Sequence, residues 1–208
     1  MIPVSKQVMQ PEPKDFDAKC RQKGLDWLQR NPKGTRKQKR PKDYWSPFRP
    51  ALADRFADLC AYGAMYEPVG TVDHFAPVDA HETLAYEWLN YRYASGWINS
   101  SKSKCVAVLD PFDVQPGWFE VLLPSLQVVA RKDRIPVALH ALADDTLRRL
   151  HLRDDERIVR QRRKWLEMYE SGRLDLEGLR AFAPLIADAV ERLHEPPMAD
   201  AHDGLVQP

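Results

Sequence analysis

The 208-residue sequence predicts an α+β fold. Three observations predict it. The central stretch from Cys60 to Lys104 reads as strand, loop, strand and helix. Residues 105–130 alternate like a β-hairpin, and beyond Pro136 helical periodicity runs almost to the end.

In order, residues 1 to about 15 read as an extended arm, because Pro3, Pro11 and Pro13 remove backbone donors and disfavour helix. Phe16, Cys20, Gly24, Leu25, Trp27 and Leu28 roughly share a face, predicting a short amphipathic helix over Asp15–Gln29 with Asp15 or Asp17 as cap. Residues 31–50 (NPKGTRKQKRPKDYWSPFRP) are the one strongly basic stretch, with Tyr44, Trp45 and Phe48 following the charges. Leu52, Phe56, Leu59 and Cys60 predict a helix over 51–66, stopped at Gly63.

Val69 to Phe75 is a β-branched strand around Asp73. Pro77 to His81 is a loop, Leu84 to Trp88 a helical turn and Asn90 to Tyr93 extended. Ser95 opens a helix to Ser103. Trp118–Leu123 and Gln127–Val129 pair around Pro124-Ser125. Helices follow over 137–150, 154–171 and 174–193, with Gly172 as a stop and a loose tail after Pro196.

Composition sets bounds. Net charge is +1, so any nucleic-acid surface must be local. No apolar run reaches the ~20 residues of a membrane span. The N-terminal MIPVSKQVMQPEPKDF lacks the apolar core of a secretory signal. Three scattered cysteines, Cys20, Cys60 and Cys105, argue against a disulfide framework, so a cytoplasmic location is expected.

The chemistry sits at the centre. An Asp carboxylate and an Asn amide oxygen are hard ligands suited to Mg²⁺ or Mn²⁺. Beside such an ion, a His can take a proton from water near neutral pH. Asp73 and His74 are adjacent on a strand and point to opposite faces unless the backbone bends. Asn90 lies in the following segment, and Asn99 begins the helix. Lys102, one turn later, is placed to hold a phosphate, and Lys104, Lys37, Lys39 and Arg40 are further nucleic-acid contacts.

The segments VDHFAP, EWLNYRYA and NSSKSK together resemble the HNH (His-Me finger) endonuclease family. The resemblance implies a ββα-metal finger with flanking helices. Asp73 and Asn99 would be metal ligands, His74 the general base, and Asn90 the residue that ties the loop and orients His74. The spacing from Asn90 to Asn99 also matches the HNH domain of CRISPR effectors. The wording is most similar to nuclease subunits of Septu-type and retron-linked anti-phage systems, which implies an AAA- or SMC-like ATPase partner. The substrate would be DNA, with RNA as the other candidate. On this reading residues 1–50 are arm, helix and basic loop, 51–130 the HNH core, 131–195 a helical region and 196–208 a tail.

The pattern departs from the family at the cysteine pairs that frame many members. Their positions hold Cys60, Gly63, Ser95 and Ile98, so no structural zinc is expected. Packing by Trp88, Tyr91, Tyr93 and Trp97 would hold the finger instead, with Cys60 an ordinary buried residue. The remaining histidines, 81, 140, 151, 194 and 202, read as surface or core. Plainer readings stand beside these: a hydrogen-bonded Asp-His pair, a capping Asn, a solvated basic loop, and a solvated face on the Arg-rich helix over 154–171. The alternative to the enzyme, favoured by the lost cysteines, is a catalytically degenerate HNH fold that binds DNA or a partner protein.

Overall fold

Strand β1 (Thr71–His74) pairs antiparallel with β2 (Tyr91–Ala94), in the register Thr71 with Ala94 through His74 with Tyr91. The computed structural model describes residues 1–103 and 107–194. The readings made for Lys104 and for the 196–208 tail fall outside the described residues. Two small antiparallel sheets among seven α-helices, counted over the described residues, make the architecture α+β.

Every residue of β2 is buried, so it carries the centre of the core. Helix α3 (Gly96–Lys102) follows directly, and its inward residues are Ile98 and Lys102 at i and i+4. Ser95 precedes it with extended backbone but makes no side-chain cap. Cys60, Gly63, Ser95 and Ile98 meet at its base. The Cys60 sulfur accepts N–H groups from Gly63 at 3.3 Å and Ser95 at 3.4 Å. Ile98 fills the remaining space, its Cδ1 3.2 Å from where a Gly63 Cβ would sit. Burial raises the Cys60 pKa, keeping it a neutral thiol. Phe16, Trp88 and Tyr91 form an edge-to-face cluster with centroids 5.3–5.8 Å apart.

Three expectations are corrected here. The N-terminal arm belongs to the core: Met1, Val4 and Met9 are buried, and the Trp88 indole donates to the Met9 carbonyl at 2.8 Å. The helix expected over 51–66 is the shorter α2 (Arg49–Arg55). It stops because Ala57 and Asp58 take positive φ, which turns the chain before Cys60. The helix expected over 174–193 is two, α6 (Leu176–Phe182) and α7 (Pro184–His194). Pro184 has no N–H to continue the ladder and pushes Ala183 to φ −151°.

The hairpin forms as β3 (Phe119–Leu122) and β4 (Gln127–Ala130). Helix α4 (His140–Arg149) and helix α5 (Glu156–Glu170) follow, α5 capped by Asp155. Arg162 of α5 is buried and donates to the carbonyls of Leu126, Leu152 and Arg153, fastening the hairpin to the α4–α5 connection. None of the helices among the described residues is long and apolar enough to cross a membrane.

At the N-terminal end, a π-helical turn over Asp17–Arg21 leads into α1 (Gln22–Arg30). Gly24 of α1 lies against the Tyr86 ring, and a Cβ there would fall 2.3 Å from Cγ and Cδ1. On an open helix Gly→Ala gains about 1 kcal/mol. Here Gly24→Ala is expected to destabilise by about 1–3 kcal/mol, because the buried ring cannot yield. Urea unfolding of the two proteins checks the sign.

Candidate active site

The β1–β2 pairing brings the predicted residues to one cleft of about 110 Å³, lined by Arg40, Trp45, Asp73, His74, Asp79 and Asn99, among others. It opens where β1 ends. The ladder extends one step further, with the Phe75 N–H donating to the Asn90 carbonyl at 2.8 Å.

Asn90 is buried and works on the loop rather than in the cleft. Its Oδ1 accepts from the Ala76 N–H at 2.8 Å. Its Nδ2 donates to the carbonyls of Ala76 at 3.1 Å and Leu84 at 3.0 Å. One amide therefore closes both ends of the 76–84 excursion. The next carbonyl, of Ala85, lies 3.1 Å from His74 Nε2. A carbonyl only accepts, so Nε2 carries the proton and Nδ1 keeps its lone pair. Trp45 and Tyr91 meet the imidazole edge-on, with centroids at 4.6 and 5.1 Å. This burial lowers the His74 pKa to about 4, against smaller opposing contributions from the Ala85 carbonyl and Asp73. The ring is thus neutral at pH 7.

Asp73 points away from His74, into the core. Tyr62 OH donates to its Oδ2 at 2.6 Å, and Lys102 Nζ to its Oδ1 at 3.1 Å. Burial, then the charge of Asp73, raises the Tyr62 pKa well above its usual value, so Tyr62 remains a donor. Asn99 donates from Nδ2 to Thr71 Oγ1 at 2.9 Å and to the Val72 carbonyl at 3.3 Å. This leaves Asn99 Oδ1 without a protein partner among the described residues.

Lys102 requires a correction. The expectation for it is a phosphate contact. Instead its side chain has no exposure, and its ammonium is held by Asp73 and by the carbonyls of His74 at 2.8 Å and Phe75 at 3.1 Å. It shares the Ile98 face of α3, and that face packs on the sheet.

The basic stretch reaches the cleft. Lys33 donates to the Asp79 carbonyl at 2.6 Å. Arg36 is almost fully buried, paired with Glu82, and sits over the Trp27 ring at 5.2 Å. These two cations act as clamps, fixing the stretch against the loop after β1. Arg40 lines the cleft, Lys39 an adjoining groove, and Lys37 is exposed. The aromatics pack the stretch down, since Trp45 and Tyr44 lie against Tyr86 at 5.9 and 6.2 Å.

Sequence reasoning missed Tyr62 and Trp45. Tyr62 carries no local signal, because its partner is reached through an irregular turn. Trp45 stands in the sequence only as one of three aromatics after the basic charges, with nothing to tie it to His74.

Among the described residues no three His, Cys, Asp or Glu side chains converge as a metal cluster. The donors at hand are one carboxylate and one amide oxygen. Both are hard donors of the kind a water-rich divalent ion takes, but Asp73 is buried with its two oxygens already accepting from Tyr62 and Lys102. The ammonium beside Asp73 weakens the attraction, so such an ion would bind loosely. The chain matches no protein-family model, no curated protein and no solved structure.

Two outcomes follow. Lys102→Met leaves the Asp73 charge buried with only Tyr62 as partner. It should cost about 3–5 kcal/mol, against less than about 1 for a solvated lysine, as read by denaturant unfolding. For His74, the folded pKa lies below the unfolded value of 6.5, so the unfolded chain binds more protons between them. The contribution of His74 is therefore complete above pH 6.5 and is lost as pH falls toward 4. Wild type should lose up to about 3 kcal/mol relative to His74→Gln across that window. Parallel stability curves would refute it.

Proposed function

We propose that this chain is a metal-dependent endonuclease of the HNH type, hydrolysing phosphodiester bonds of DNA. One observation carries the reading: Asp73, His74 and Asn99 line a single cleft on β1 and α3, with Arg40 on its wall. The order β1–β2–α3, with Asn90 closing the intervening loop, agrees with the resemblance. The role in phage defence, the ATPase partner and the cytoplasmic location rest on resemblance and composition alone. No structural zinc enters the reading, since the Cys60 sulfur is engaged by backbone N–H groups.

Asp73 and Asn99 would hold the Mg²⁺ or Mn²⁺, which when bound supplies positive charge against the oxygens of the scissile phosphate. His74 holds its Nε2 proton on the Ala85 carbonyl and so presents Nδ1 as the base that takes a proton from water. Its low pKa makes it a weak base that is always ready at neutral pH. Asn90 is a positioning residue, fixing the segment whose carbonyl orients the ring. Arg40, with Lys37 and Lys39, supplies cations for the DNA backbone.

The second reading, a non-catalytic HNH fold that binds DNA or a partner, is favoured by one observation. Both Asp73 oxygens are already engaged, by Tyr62 and Lys102. A plasmid-nicking assay with Mg²⁺ or Mn²⁺ separates the two. Wild type should nick, and His74→Ala should lose about 10²–10⁴-fold in rate. Equal rates in the two proteins would remove His74 as the base. No cleavage by wild type with either ion, alone or with an ATPase partner added, would favour the binding module.

A further inference from the structure

The outward face of α5 is a strongly cationic surface that the cleft does not use. Arg157, Arg160 and Lys164 stand at i, i+3 and i+7, with Arg163 beside them, all exposed. They line an open groove with Gln161 and a single carboxylate, Glu167. Several arginines elsewhere are matched to carboxylates. Arg131 pairs with Glu120 and Asp133, and Arg180 with Asp188 and Glu191. On this face Arg157 pairs with its own cap Asp155, and Lys164 reaches Glu167 only at 3.9 Å. Arg160 and Arg163 have no carboxylate within ion-pair distance among the described residues. The inner face of α5 is buried through Ile158 and Arg162, so the helix cannot roll to hide the charges.

The stripe is joined to the site. The Arg157 guanidinium lies over the Trp97 ring at 4.4 Å, and Trp97 is in the first turn of α3. Helix α3 runs alongside β1: Asn99 bonds Thr71 at one end, and Lys102 bonds the His74 and Phe75 carbonyls at the other. The basic loop meets the far end, through Arg40 in the cleft and Lys33 on Asp79. From Trp97 to Ser103 is roughly 9 Å of helix. Two sets of cations therefore bracket the cleft from opposite ends of α3.

We propose that the Arg157–Arg160–Arg163–Lys164 face of α5 is a second phosphate-contacting surface. Together with the basic loop, it grips the backbone of duplex DNA on both sides of the cleft. This extends the nuclease reading but is measured without cleavage. The face matches a polyanion in sign, and it is distinct from every residue assigned to the reaction. Contacts to phosphate release counterions, so the signature is a salt slope of about 0.9 per phosphate.

The test is fluorescence anisotropy on a short labelled DNA duplex, in EDTA to prevent turnover, across a range of salt. Arg160→Gln/Arg163→Gln/Lys164→Gln retains the Arg157–Trp97 contact. It should lower the slope of log K against log salt by about 2–3 and weaken binding at least tenfold at low salt. Lys6→Gln/Lys14→Gln/Lys23→Gln removes equal charge from the exposed N-terminal region and should leave the slope unchanged. Far-ultraviolet circular dichroism and thermal melting establish that both variants are folded. A slope equal to wild type in the α5 variant overturns the proposal, as does an equal loss in the control. If wild type itself fails to bind duplex at low salt, the α5 surface is overturned, and nicking in Mg²⁺ by the same sample decides the nuclease reading independently.

Discussion

The buried pair between Asp73 and Lys102 is the constraint on which the centre of this molecule depends. Lys102 reaches from the last turn of α3 to a carboxylate and two carbonyls at the end of β1. Three oxygen acceptors satisfy the three ammonium protons, so a charge that burial would otherwise forbid is tolerated. The same contacts set how closely α3 approaches β1, and hence where Asn99 stands relative to His74. Tyr62 completes the arrangement from the turn after α2. A single electrostatic unit thus joins three segments distant along the chain, and the cleft is the space it leaves beside them.

Around that unit β1, β2 and α3 are closed by hydrocarbon and aromatic rings. Tyr91, Tyr93 and Trp88 are all buried, and Tyr93 extends its hydroxyl to the Glu67 carbonyl at 2.6 Å while accepting the Gly70 N–H at 2.9 Å. Cys60, Gly63, Ser95 and Ile98 converge at the base of α3. At their centre is a thiol bonded to backbone N–H groups and a packed Ile side chain. Burial of apolar side chains holds this point, in a core that also takes in Met1, Val4 and Met9 of the N-terminal arm.

Much of this was legible in the sequence because the periodicities were local. Strand β1, the β3–β4 hairpin and α5 follow directly from alternation, turn residues and helical spacing. The split at Pro184 was also written in the sequence, since a proline inside a helical pattern ends it. Lys102 was misread because its three-residue spacing from Asn99 suggested a common face. Its four-residue spacing from Ile98, an obligate core residue, was the stronger signal. The partnership of Tyr62 with Asp73, the burial of Met1 and Met9, and the clamping of Arg36 on Glu82 were illegible. Each depends on how segments dock, which no periodicity encodes.

The imidazole of His74 is oriented by a main-chain oxygen rather than by a neighbouring side chain. A point substitution can change the side chain at position 85 but cannot delete its carbonyl. Genetic drift at that partner is therefore limited only by the room around Ala85, and the fragile position lies elsewhere. It lies in the single amide of Asn90, which pins both ends of the loop carrying that oxygen. Evolutionary sensitivity of the imidazole's orientation is thus displaced from its contact to a residue that never touches it.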